Sequence, residues 1–83
     1  MDKDDSRLLW RCRRGARELD SLLVPYCLAR VQLMDYAEKS NLEQLLDHQD
    51  ADLLDWFLGR KDPHNIAITQ TIDRIIGFSS RNR

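Results

Sequence analysis

Apolar residues in this chain recur at intervals of three and four in one short stretch after another. No stretch alternates apolar and polar residues as a half-buried strand does. That periodicity restricts the fold to helices. With 83 residues there is room for one small core, and not for two domains of ordinary size or a walled substrate cavity. Folding at this size buries roughly 60% of the surface of the unfolded chain, so stability is modest unless a metal, a disulfide or a partner adds to it.

The punctuation between the stretches predicts five helices in a single domain spanning residues 1–83, with about five residues frayed at the N-terminus and about six at the C-terminus. Asp5 or Ser6 can cap a first helix whose apolar side is Leu8, Leu9 and Cys12 and whose end is Gly15. A second helix covers about residues 16–33 through Leu19, Leu22, Leu23, Tyr26 and Cys27. Pro25 kinks it without ending it, because the apolar period continues to Val31. Two capping boxes, Asp35 with Glu38 and Ser40 with Glu43, compete to start the third helix, which carries Leu42, Leu45 and Leu46. A short fourth helix starts at Asp50, carries Leu53, Leu54, Trp56 and Phe57, and stops at Gly59. Either Asp62-Pro63 or Asn65 opens a fifth helix with Ile68, Ile72, Ile75 and Ile76 on one stripe, and Gly77 ends it ahead of a basic tail through Arg81 and Arg83. The expected core is Leu8, Leu19, Leu23, Leu45, Leu46, Leu54, Phe57, Ile72 and Ile76 of a small all-α bundle.

Charge adds a second constraint. Thirteen Lys and Arg against fourteen Asp and Glu leave a net charge of -1, which argues against a globally basic nucleic-acid binder. The distribution is uneven. Residues 7–17 hold five arginines and no acid, whereas residues 18–59 hold nine acids and only Arg30 and Lys39. A local positive field of this kind favours an acidic or phosphate-bearing partner, and the planar fork of Arg suits geometric recognition of carboxylate or phosphate. A merely solvated face would have the same composition.

Cys12 and Cys27 lie on apolar stripes, and two thiols without a C-x-x-C pair or nearby histidines make no zinc site of ordinary spacing. They read as small buried hydrophobes in a reducing compartment. MDKDDS at the start has no apolar core of an export signal, and no apolar run approaches the roughly 20 residues of a membrane span, so a cytoplasmic protein is expected, without membrane insertion.

The informative segment runs from Arg7 to Asp20. At helical spacing Arg7, Trp10, Arg11 and Arg14 share a face opposite Leu8 and Cys12. A guanidinium over Trp10 there adds roughly 0.5–1 kcal/mol when exposed. The less favoured alternative is a Trp10 half-buried beneath the aliphatic stems of those arginines. Gly15 lets another backbone or ligand approach the junction, and Glu18, in the first turn of the second helix, is placed to pair with Arg14 across the turn. Exposed pairs contribute only about 0–1 kcal/mol, so presentation to a partner explains the arrangement better than stability does.

Arg14-Gly15-Ala16-Arg17-Glu18 fits an RGxxE motif, and Asp50-Ala51-Asp52-Leu53-Leu54-Asp55-Trp56-Phe57-Leu58 resembles a second block, D-x-D-L-x-x-W-L. Together they resemble the small FAD assembly factors for succinate dehydrogenase, the SdhE family, over about residues 6–76. The resemblance implies a five-helix protein, not an enzyme. Such a protein binds the flavoprotein subunit of succinate dehydrogenase, and in some members that of fumarate reductase, and promotes covalent attachment of FAD to a histidine of that client. It implies that Arg14, Gly15 and Glu18 face the client, with Arg7, Trp10, Arg13 and Asp20 flanking them. Ala51, where many members have Pro, departs from the pattern at the start of the fourth helix.

The chain itself has no Gly-rich phosphate cradle, so FAD is expected to be the cofactor of the client and not to be held stably here; no metal is expected, and the protein is expected to act as a monomer. Three other readings compete. The arginine run could lie on a recognition helix for nucleic acid, against which the acidic remainder counts. An antitoxin or cell-division regulator would need only the same kind of exposed surface. An autonomous enzyme is disfavoured because His48 and His64 lie outside the arginine segment and are expected to be solvent-exposed.

Overall fold

The computed structural model describes residues 2–81. Five α-helices are present: α1 Lys3–Arg11, α2 Arg17–Arg30, α3 Tyr36–Leu46, α4 Asp50–Phe57 and α5 Ile66–Arg81. A 3-10 turn, Val31–Leu33, extends α2. The all-α, five-helix architecture is the one that the periodicity predicts.

Side-chain caps fix the starts of α1, α3 and α5, whereas α2 and α4 begin without one. Asp2 accepts the N–H of Asp5 at 2.8 Å, so α1 begins ahead of both Asp5 and Ser6. Residues 3–5, expected to fray, instead form its first turn. Asp5 is only 4% exposed because its carboxylate accepts a 2.7 Å bond from Lys39 Nζ on α3. α1 then stops at Arg11 with Cys12 as its cap, three residues before Gly15. α2 runs through Pro25 as the apolar period requires. Of the two boxes before α3, the chain uses Asp35, which accepts the N–H of Glu38 at 2.8 Å. Asn65 caps α5 by accepting from Ile68 N at 3.1 Å, while Asp62 accepts from His64 N and holds a turn in which His64 has φ 54°. Gly59, at φ 72°, closes α4 in the left-handed region.

Gly77 does not end α5. The helix continues to Arg81, so residues 78–81 of the expected frayed tail are helical, while Arg83 lies outside the described residues. Nothing in the local backbone requires a stop there, and a glycine inside a helix lowers its propensity without breaking it.

α5 packs against α2, α3 and α4, and α1 and α4 close the remaining sides of α2. The radius of gyration, 11.8 Å, matches the value of about 12 Å for a folded chain of this length. Leu8, Leu19, Leu23, Leu45, Leu46 and Ile72 are buried as the pattern predicts, together with Leu42, Leu53, Val31 and both cysteines, which are free thiols. Leu54 and Phe57 pack only at the edge of the core. Ile76 is 40% exposed, and Ile75 takes the fully buried position instead. The inward face of α5 is Ile68, Thr71, Ile72 and Ile75, which turns Ile76 to the rim; the Thr71 hydroxyl is satisfied by the carbonyl of Ala67 at 2.8 Å. No described helix is long and apolar enough to cross a membrane.

The register of α5 predicts that Ile75→Ala lowers unfolding free energy by about 2–5 kcal/mol, whereas Ile76→Ala costs well under that, as read by urea denaturation. Lys39 also has a predicted pH signature. Its hydrogen bond to Asp5 raises its pKa above the ordinary lysine value. The pairing therefore contributes in full below the unfolded lysine pKa of about 10.4 and is lost as pH rises through the higher native value. The urea midpoint of the wild type should fall more between pH 9 and pH 11 than that of Lys39→Gln.

Candidate functional site

The segment between α1 and α2 makes no regular backbone ladder, so something else must hold it. Arg14 does. Its Nε donates to Asp50 Oδ1 at 2.8 Å, its Nη1 to the carbonyl of Leu46 at 2.9 Å, and its Nη2 to the carbonyl of His48 at 2.7 Å. Leu46 is the last residue of α3 and Asp50 the first of α4. One guanidinium therefore caps carbonyls left open at the end of α3 and pairs with an acid at the start of α4, where each charge also suits the helix dipole. The Arg14 side chain is 16% exposed as a result.

Two further contacts fix the same loop. The backbone N–H of Arg14 donates to Asp20 Oδ1 at 2.5 Å, fastening the loop to the first turns of α2. Arg11 Nη2 donates to Asp47 Oδ1 at 2.6 Å, binding the end of α1 to the α3–α4 corner. The expected Arg14–Glu18 pair is thus replaced by Arg14–Asp50. Arg14 lies beyond the end of α1, so it does not share the exposed face of Arg7 and Trp10; the side chain has turned inward.

What remains outside is a surface of different character. Trp10 is 71% exposed, which rules out the half-buried alternative, and Arg13 lies over its ring with Cζ at 5.9 Å from the centroid. The cation–π partner lies two residues beyond the helix end and is not one of the helical arginines. Gly15, Arg17 and Glu18 are exposed beside them, and Arg7 is exposed on α1. Of the five arginines in this run, Arg11 and Arg14 are consumed internally; Arg7, Arg13 and Arg17 form no ion pair with a described residue. A shallow cavity of about 620 Å³ continues the face along α2, with Val24 and Pro25 as apolar floor and Arg13, Arg17, Asp20 and Ser21 around it.

Gly15 is the decisive position. A Cβ built there would meet only Asp50 Oδ2, at 4.0 Å, and the residue has no positive φ. Neither backbone conformation nor internal packing demands glycine. Its bare backbone instead faces outward between Arg13 and Arg17.

Seven residues were singled out from sequence, and the structure sorts them by role. Arg14 and Asp20 build the loop from within, Trp10, Arg13, Gly15 and Glu18 are exposed on or beside it, and Arg7 is set apart on α1, where it borders a cleft with Tyr36, Lys39 and Glu43 of α3. Sequence reasoning missed Arg17 as an outer residue and missed Asp50 as the partner of Arg14. The second block of the resemblance begins at Asp50, but 36 positions separate the two and no local pattern joins them. His48 also differs from expectation: its ring sits edge-on to Trp56 with centroids 4.8 Å apart, so it is partly covered, whereas His64 is exposed in its turn.

The site offers no acid–base or nucleophilic group in a cleft. Cys12, directly behind the loop, has its thiol pushed up by its hydrogen-bonding contact with Cys27 and by burial, so it is an inert core group at neutral pH. Among the described residues no cluster of His, Cys, Asp and Glu could hold a metal ion.

A family model for the flavinator of succinate dehydrogenase, Sdh5, matches residues 6–79. The chain is 45% identical over 62 residues to the FAD assembly factor SdhE of Methylococcus capsulatus, covering 75% of each chain. It is 36% identical over 74 residues to the FAD assembly factor SdhE of Coxiella burnetii, covering 89% of this chain and 90% of that relative.

The two roles predict a separation by mutation. Arg14→Ala leaves the Leu46 and His48 carbonyls without a donor and should cost about 1–3 kcal/mol, with Arg14→Lys restoring only part because one ammonium cannot reproduce the fork. Glu18→Ala should change stability by no more than about 0.5 kcal/mol in the same denaturation series.

Proposed function

This chain belongs to the family of succinate dehydrogenase flavinators, and from that premise we propose that it binds the flavoprotein subunit of succinate dehydrogenase and promotes covalent attachment of FAD to it. It is an assembly factor and not an enzyme. The observation that carries the reading is Gly15: a glycine that the fold does not need, on a loop that the fold holds rigidly, with free guanidinium groups on either side. Such a position suits close approach by another backbone. In this reading Gly15, Glu18, Arg7, Trp10 and Arg13 contact the client, and Arg14 and Asp20 serve the contact by holding the loop in shape.

Covalent attachment of a flavin requires the flavin and its acceptor side chain to be held in reacting alignment. A small bundle can supply that by clamping a client segment, with no group of its own taking part in the bond. FAD remains the cofactor of the client, since the sequence has no Gly-rich loop to cradle a pyrophosphate. The flavoprotein subunit of fumarate reductase is a second client of the same chemistry. The protein acts as a monomer, one copy per client, in the cytoplasm.

Gly15→Arg should abolish capture of the client flavoprotein and its in-gel flavin fluorescence while leaving the circular-dichroism spectrum and urea midpoint at wild-type values. Retention of both capture and flavinylation by that variant would overturn the reading. Gly15→Ala, which the fold accommodates without a contact closer than 4.0 Å, tests the same point with the smallest possible intrusion.

A further inference from the structure

A second concave site lies at the other end of α2. Arg30 is 13 residues beyond Arg17 along α2 and its 3-10 junction, about 20 Å at the rise of a helix. There α2, α3 and α5 border a cleft of about 460 Å³, a volume in the range of small-molecule sites. Arg30, Arg74 and Arg81 line it, and none forms an ion pair with a described residue.

Its base is aromatic. Tyr26 and Phe78 meet edge to face with centroids 5.7 Å apart. Tyr26 is 5% exposed, and its hydroxyl makes no hydrogen bond to a described residue. No described side-chain polar atom is both sealed from solvent and unsatisfied, so that hydroxyl opens into the cleft. Burial, and then Glu38, push its pKa up, which keeps it a protonated donor.

Gly77 leaves part of the cleft wall without a side chain. It sits inside α5, where glycine is a poorer helix former than alanine, and a Cβ there would lie 3.6 Å from Arg81 Nη1. A Cβ at that distance is in ordinary van der Waals contact, so only a larger side chain would displace Arg81 or occupy the cleft. Glu38 and Asp73 complete the wall, so the site pairs three cationic forks with two acceptors.

We propose that this cleft binds a small organic phosphate that also carries hydroxyl groups. Three guanidinium groups and a phenol match the terminal oxygens of a tetrahedral oxyanion better than the two of a carboxylate, and Glu38 and Asp73 accept from ligand hydroxyls. The two acids also discriminate against an extended polyanion, which would meet repulsion at both. The site is independent of the client-binding loop.

The test is titration of the full ¹⁵N-labelled protein with ribose 5-phosphate, inorganic phosphate and ribose, followed by amide shifts. Ribose 5-phosphate should move signals of residues 26–30 and 73–81 saturably and at concentrations about tenfold lower than inorganic phosphate, while ribose moves none. Arg74→Gln and Arg30→Gln should weaken binding about tenfold or more, and Tyr26→Phe, which keeps the ring, about fivefold. Gly77→Leu should abolish binding by filling the cleft while raising the melting temperature, which separates loss of the site from loss of fold. The proposal is overturned by shifts no larger than those at Arg13 and Arg17, by unchanged affinity in Tyr26→Phe, or by a Glu- and Asp-rich hexapeptide that binds more tightly than ribose 5-phosphate at the same residues.

Discussion

Arg14 is the residue on which the α1–α2 loop depends. Its guanidinium reaches the end of α3 and the start of α4, and its backbone N–H donates to the side chain of Asp20 on α2. A loop of five residues between two helices would otherwise have few restraints. The favourable energy of each bond made by the charged guanidinium is about 1.5–3 kcal/mol. The geometry is the larger consequence, because the planar fork engages a carboxylate and two carbonyls at once and leaves the loop little freedom to move.

That arrangement explains why two separated stretches of sequence work as one. Residues 14–18 present the outer surface, and the stretch that begins at Asp50 supplies the anchor beneath it. The face seen by a partner is consequently smaller and less basic than the arginine run suggests, with Arg11 and Arg14 neutralised by Asp47 and Asp50. It is also more specific: an exposed Trp10 stiffened by Arg13, a bare backbone at Gly15, and a carboxylate at Glu18. A surface of this kind suits recognition of one protein better than attraction of any polyanion.

Much of the fold was legible because helix signals are local. Asp35, Asn65 and Gly59 mark boundaries through their own backbone neighbours, and the leucines of α2 and α3 declare their buried face by spacing alone. The misreadings share a cause. Gly77 and Ile76 were assigned from local preference, yet the packing of α5 against α2 and α3 carries the helix past the glycine and selects Ile75 for the interior. Likewise Asp5 looks like a cap but is buried by a lysine 34 residues away, and its capping role passes to Asp2.

By itself the sequence determined the helical class, the number of helices, most of the core and the motif-bearing segment that forms the candidate site, since each is written in spacings of three and four or in contiguous motifs. Only the tertiary structure decided which residues of that segment look inward and which look outward. Arg14 and Glu18 are equivalent as charged motif residues, and their roles diverge because folding places the α3–α4 corner beside one and solvent beside the other. The same holds at the opposite end, where Arg30, Arg74 and Arg81 share a cleft through the packing of α5 on α2. Long-range ion pairs and clefts join residues whose separation along the chain carries no period, and their partners are settled when the core brings the helices together.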